Sequence, residues 1–280
     1  MAAGVGVADG GGVIITLLTD FGTVDGYVGA MKGVLASLTP AAVIHDVSHD
    51  LPAGGIREAA RALHRYWLRY PPGTVHLVVV DPGVGTRRRP LALSARGRFL
   101  VAPDNGVATP LLAPGETTSV VEIQWPFPAG GQGGAPAPDP FPLSLSRTFH
   151  GRDLFAPAAA WLALGGAMAE LGPQATDPPL VFREPSPRRG ASGVLGEVVG
   201  MDRFGNLQTN LPGEWFPRGG TVELAGWQVY LVESYGFREP GELLAVVNSD
   251  GVVEVAVRDG SAAAFTGAGP GTSVFGTPSS

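Results

Sequence analysis

The stretch Val75–Val80, VHLVVV, constrains the fold more than any other part of the chain. It has one polar side chain and no polar alternation, so neither face of the strand is suited to water. A strand buried on both faces belongs in the middle of a parallel sheet covered by helices. Its neighbours agree. VIITLL (Val13–Leu18) and VIHDV (Val43–Val47) are short β-branched runs, and RFLVA (Arg98–Ala102) is a fourth. Between the first two, Tyr27, Val28, Met31, Val34, Leu35 and Leu38 recur at helical spacing. Ile56, Ala59, Ala60, Leu63, Trp67 and Leu68 do the same before the third. Strand–helix alternation predicts an α/β N-terminal domain with a central, mostly parallel sheet.

The pattern changes further on. WPFPAGGQGGAPAPDPFP (Trp125–Pro142) is a long Pro/Gly-rich loop, and a helix is expected from about Arg152 to Leu171. A second Pro-rich break, Ala175–Gly190, reads as a linker. Short β-type runs follow it, and Asn248–Gly251 (NSDG) is a hairpin signal. The reading is therefore a flexible tail at 1–12, an α/β domain at 13–178 with its loop at 125–142, a linker at 179–190, and a smaller β-rich domain at 191–280.

Composition narrows the function classes. Charged residues are 16% of the 280, with a net charge of −6, so neither a nucleic-acid arm nor a disordered acidic chain is indicated. With no cysteine there is no disulfide framework and no thiolate zinc site, which fits a reducing, cytoplasmic setting. The N-terminus lacks the charged and apolar regions of a signal peptide. The most apolar stretch, Leu154–Ala169, is shorter than the roughly 20 residues that span a bilayer, and no membrane association is expected.

Ligands of an open α/β sheet sit beyond the C-terminal ends of its strands. Here those ends carry acids. Asp20 follows the first strand, Asp46 and Asp50 lie in and after the second, Asp81 follows the third, and Asp104 the fourth. The third strand runs into DPGVGTRRR, where a carboxylate and three arginines share one glycine turn. That turn has no P-loop lysine, and no G-x-G-x-x-G follows the first strand. His150 stands on a Gly turn just ahead of a helix, and Asp202, Asn206 and Asn210 surround Phe204–Gly205. Asx-turn chemistry accounts for the latter equally well. His45, Asp46, His49 and Asp50 invite a metal reading, but His45 and Asp46 are adjacent in a strand and point to opposite faces. No metal or other cofactor is expected.

In order, TDFG…DGYVGAMKG, DVSHD, VVVDPGVG…R, APDNG, TFHGRD and DRFGNLQTN resemble the S-adenosyl-L-methionine (SAM) hydroxide adenosyltransferases. These SAM hydrolases release adenosine and methionine and are homologous to fluorinases and chlorinases. The resemblance runs from about Ile14 to Ala264. It implies an N-terminal α/β domain, a C-terminal β-barrel, and a homotrimer with SAM held between subunits. It implies a catalytic set of Asp81, Arg88 and His150. It also implies Asp20 on the ribose hydroxyls, Asp25 and Asn105 in the nucleoside region, Asp202 and Asn206 at the methionine end, and Tyr235 against adenine. The halogenases carry a tyrosine at the Asp81 position and a hydroxyl residue at the His150 position. This chain has neither, which points to water as nucleophile. Three alternatives stay open: a halogenase of the same family, a metal-dependent nucleotide hydrolase, and a non-catalytic SAM- or adenosine-binding protein.

Overall fold

The computed structural model describes residues 12–112, 117–125 and 145–279. The expected tail at 1–12 and the Pro/Gly-rich loop at 125–142 lie outside these residues, apart from Gly12 and Trp125. The chain divides into two compact units, Met1–Phe182 and Arg183–Ser280.

The first unit contains β1 (Ile14–Thr19), α1 (Tyr27–Leu38), β2 (Val43–Ser48), α2 (Ile56–Trp67), β3 (Val75–Val79), β4 (Pro90–Ala95), β5 (Arg98–Pro103), β6 (Thr117–Glu122) and α3 (Ala156–Ala163). Its strands form one sheet in the order β2-β1-β3-β5-β4-β6. The first four run parallel; β4 pairs antiparallel with both β5 and β6. Every residue of β3 is buried, as its unbroken apolar run requires. Successive side chains of the central strands feed two cores. Ile15, Leu17, Leu77 and Val79 pack with α1 and α3 residues such as Met31, Leu35 and Ala159. Leu18, Val78 and Val80 pack with α2 residues Ala59, Leu63 and Trp67. This is the three-layer α/β/α arrangement that the alternation predicts.

Two expectations need correction. RFLVA is not the next strand after VHLVVV, because β4 intervenes and folds back on β5 through Arg96–Gly97. Both turn residues have positive φ, 46° and 74°, the mark of a two-residue primed hairpin turn. The helix expected at 152–171 is also shorter. Gly151–Phe155 is a π turn, only Ala156–Ala163 is α-helical, and Gly165 at φ 82° ends it.

His76, in the second position of β3, is a polar residue in this core. It is fully buried, and its Nδ1 is 2.8 Å from Thr16 Oγ1. Burial pushes its pKa down to about 3, and the Arg98 charge acts in the same direction. In an unfolded chain histidine titrates near 6.5. Between about pH 6.5 and 3 the unfolded chain therefore binds a proton that the folded chain refuses, and stability falls as pH falls. Each pH unit in that window is expected to cost about tenfold in the folding equilibrium. Urea denaturation over that window should show a steeper slope in the wild type than in His76→Asn. Parallel slopes in the two proteins would refute the assignment.

The second unit contains β7 (Arg188–Arg189), β8 (Val194–Met201), β9 (Leu207–Pro212), β10 (Gly220–Leu224), β11 (Trp227–Tyr230), β12 (Leu243–Val247), β13 (Val252–Val257), α4 (Ala262–Thr266) and β14 (Ser273–Pro278). The sheet order is β11-β10-β14-β8-β9-β13-β12, with β7 added against β8. A bridge from Leu231, just past β11, to Ala245 in β12 joins the two ends, so the sheet nearly closes into a barrel. Val194, Leu211, Val222, Val229, Val253, Val255 and Val274 fill it. The NSDG stretch is the β12–β13 turn, with Asn248 N donating to Val252 O at 2.9 Å and Gly251 at φ 78°.

Candidate active site

β1 and β3 are neighbours in register, with Thr19 opposite Val79. Their exits lead to opposite sides of the sheet, since β1 continues to β2 and β3 to the β4–β5 pair. This is a topological switch point, and the residues leaving it are Asp20 and Asp81.

Past Asp81 the chain turns tightly. Val84 N bonds Asp81 O at 3.2 Å, Thr86 N bonds Gly83 O at 3.2 Å, and Thr86 Oγ1 donates to Gly83 O at 2.6 Å. The turn brings Arg88 back onto Asp81. Arg88 Nε lies 2.9 and 3.0 Å from the two carboxylate oxygens, and Nη2 also donates to Oδ2. The pair is shielded, with the Arg88 and Asp81 side chains 9% and 5% exposed. The Phe155 ring lies 4.9 Å from the guanidinium carbon and gives it an apolar, electron-rich floor.

His150 arrives from 62 residues away. It caps the π turn, and its Nδ1 is 2.9 Å from Arg88 Nη2. Gly151 beside it sits in a tight place, since a Cβ would meet Met31 Sδ at 3.1 Å and Phe149 at 3.2 Å and press on both. Buried Asp153 accepts from Ser146 N at 2.9 Å and so pins the segment that leads into His150. Burial lowers the His150 pKa, and the Arg88 charge lowers it further, against the opposite pull of Asp81 and Asp153. A guanidinium only donates, so Nδ1 accepts, and the proton of the neutral ring sits on Nε2.

The other expected residues are distributed as follows. Asp20 Oδ2 accepts from Gly54 N at 2.7 Å, and Gly54 lies beside Pro82, the residue after Asp81. Asp25 is exposed. Asn105 donates to Val80 O at 2.8 Å and fixes the residue ahead of Asp81. Asp104 does not face a common site with Asp81. It pairs with Arg89 and accepts from Leu180 N at 2.7 Å, while Arg89 also holds the carbonyls of Asp177 and Pro178. Arg87 is exposed.

Within the second unit, Asp202 Oδ1 accepts from the amides of Phe204 and Asn206, both at 2.9 Å, and Oδ2 accepts from Asn206 Nδ2 at 3.0 Å. This Asx turn holds Phe204 out at 68% exposure. Tyr235 is 44% exposed, and its hydroxyl donates to Glu254 at 2.7 Å. Glu254, only 3% exposed, also accepts from Asn248 at 3.0 Å. It escaped the sequence reading because an acid inside a valine-rich strand has no local signal of a distant tyrosine. Among the described residues no group of three His, Asp or Glu side chains is placed to hold a metal ion, and no helix is long and apolar enough to cross a membrane.

Residues 15–172 match the model of the SAM hydroxide adenosyltransferase N-terminal domain, and residues 196–275 that of its C-terminal domain. The chain belongs to the SAM hydroxide adenosyltransferase family. A (R)-S-adenosyl-L-methionine hydrolase from Salinispora tropica is 43% identical over 263 residues, 92% of this chain and 95% of that one. A fluorinase from an Actinoplanes species is 30% identical over 227 residues, 72% of each chain. A crystal structure of a conserved protein from Thermotoga maritima superposes with a TM-score of 0.83 at 32% identity, covering 94% of this chain and 99% of the other. The two domain matches lie on either side of the boundary at Phe182 and Arg183. Asp81, Arg88 and His150 all fall within the N-terminal match.

Proposed function

We propose that this chain hydrolyses SAM to adenosine and L-methionine, with water or hydroxide attacking C5′. The convergence of Asp81, Arg88 and His150 carries the reading. A bond forms from oxygen to C5′ as the C5′–S bond breaks. The electron pair goes to sulfur, the sulfonium leaves as neutral methionine thioether, and the water proton passes to solvent. Departure needs little acid help. The demand falls on the nucleophile, which must lie in line with sulfur and have its developing charge stabilised. Arg88 Nη2 uses its two hydrogens on Asp81 and His150. Among the described residues Arg88 Nη1 and His150 Nε2 take no partner, and in this reading they hold the attacking oxygen. Asp81, with both oxygens engaged by Arg88, acts by fixing the guanidinium. His150 acts as a donor, because its free nitrogen carries the proton.

Asp20, with Asp25 and Asn105 nearby in sequence to the strand ends, serves the nucleoside in this reading; a carboxylate accepts from both ribose hydroxyls at once. Asp202 and Asn206 serve the methionine end, and Tyr235 packs on adenine. A homotrimer with sites at its subunit interfaces, working in the cytoplasm, completes the proposal. The identity to a named SAM hydrolase, higher than to a named fluorinase, supports water over halide.

The test is incubation with SAM in ¹⁸O-water, with and without chelator and with and without halide. Adenosine and methionine should form one to one, with label in the adenosine 5′-hydroxyl, in every condition. A 5′-halo nucleoside would replace the reading with a halogenase. Activity lost to chelator and restored by a divalent ion would replace it with a metal hydrolase. Tight binding without turnover would leave a binding protein.

A further inference from the structure

The IHDVSHD motif (Ile44–Asp50) is not used by the proposed reaction. The structure ties it to the exit of β1. His49 is 6% exposed, and its Nδ1 is 2.8 Å from Thr19 Oγ1. Its backbone oxygen accepts from Gly22 N at 2.8 Å. Thr19, the last residue of β1, is fully buried, and its Oγ1 accepts from Phe21 N at 3.3 Å. These three bonds fasten the Thr19–Gly22 turn, which presents Asp20. From outside, Gly54 N takes Asp20 Oδ2, so Oδ1 is the oxygen left for a ligand.

The Thr19 hydroxyl serves both neighbours: its oxygen accepts from the Phe21 amide, and it bonds His49 Nδ1 as donor or acceptor according to the tautomer of the ring. His49 Nε2 lies 3.1 Å from Asp46 Oδ1, out of line for a hydrogen bond. Lys32 Nζ pairs with the other Asp46 oxygen. Burial would raise the Asp46 carboxyl, but Lys32 and His49 beside it outweigh burial and hold it below the usual carboxylate range. The order is Lys32, Asp46, His49, Thr19, then the Phe21 amide beside Asp20.

We infer that Asp46, His49 and Thr19 form a relay that positions Asp20 and sets the direction in which its carboxylate meets the ribose diol. The inference rests on the proposed role of Asp20. None of the three touches substrate; they act through the turn.

Thr19→Val keeps the shape of the side chain and removes the hydroxyl, and Thr19→Ser keeps the hydroxyl. Thr19→Val is expected to raise the SAM Kd and KM about tenfold with kcat within about twofold, and Thr19→Ser to restore both. Added to Asp20→Ala, Thr19→Val should raise the Kd no further, since residues acting through one group are not additive. Calorimetric titration with SAM gives the Kd independently of turnover. An unchanged Kd in Thr19→Val, or effects that multiply with Asp20→Ala, would overturn the relay. An unchanged Kd in Asp20→Ala itself would instead remove the ribose assignment, and the relay with it. Should Thr19→Val not fold, Asp46→Ala at the half-exposed end carries the test, with a rise of about threefold expected and none overturning it.

Discussion

Asp81→Asn is expected to lower kcat by about two to three orders of magnitude while the SAM Kd moves less than about threefold. The asparagine has the right shape and the wrong polarity. Arg88 directs N–H groups at both Asp81 oxygens. In the variant one of those positions becomes an NH₂, so donor faces donor. A guanidinium whose side chain is 9% exposed is then left without its counter-charge. Removing one partner of such a pair is far costlier than the pair's net worth. Arg88 would swing toward water, and His150 would lose the donor at Nδ1 that fixes its tautomer. Both groups proposed to hold the attacking oxygen would be displaced together. Ligand binding rests in the proposal on other residues, Asp20 and the second unit's polar face among them, which explains the small change in Kd. Steady-state kinetics and calorimetric titration check the two halves separately. Near-normal turnover would remove Asp81 from the mechanism, and a collapse of binding would move it into substrate recognition.

The sequence reading succeeded where one physical cause dominates. VHLVVV reads as a central strand because burial on both faces leaves no polar position. NSDG reads as a hairpin because its turn needs a positive φ that glycine supplies. β4 and β6 were missed for a different reason. Pro90–Ala95 has a weak local pattern, and its strand identity comes from pairing with β5 on one side and β6 on the other. The turn that enforces the first pairing is Arg96–Gly97, without the Asn or Asp that usually marks such turns. The helix at 152–171 was overread because Ala, Leu and Trp favour helix throughout. What ends it is backbone geometry at Gly165 and Gly166, where a Cβ on Gly166 would run into Trp161 at 2.3 Å. For the site, the sequence put Asp81 and three arginines on one turn, and the family resemblance with the spacing singled out Arg88. His150 joined them by family resemblance, since no local pattern reports a contact across 62 residues. The same limit hid Thr19–His49 and Tyr235–Glu254, whose partners are 30 and 19 residues apart.

A close approach of two backbones at the site gives the second large expectation. Gly85 lies in the turn between Asp81 and Arg88 at φ 74°, and a Cβ there would sit 2.2 Å from the carbonyl oxygen of Arg147. Arg147 is three residues ahead of His150, so Gly85 is where the arginine-bearing loop and the histidine-bearing segment touch. A backbone carbonyl cannot rotate aside as a side-chain tip can. Gly85→Ala must therefore part the two segments by about an ångström, and the 2.9 Å bond from Arg88 to His150 does not survive that shift. A misplacement of this size is expected to lower kcat on the order of a hundredfold. Part of any effect will be plain backbone strain, because alanine disfavours positive φ. Gly73→Ala separates the two causes: Gly73 has φ 86° and nothing within 4 Å of a Cβ. Both variants should lose some thermal stability from strain, and Gly85→Ala more, because of its clash. Only Gly85→Ala should lose turnover. If the two variants match in activity, the contact between the segments is not what brings Arg88 and His150 together.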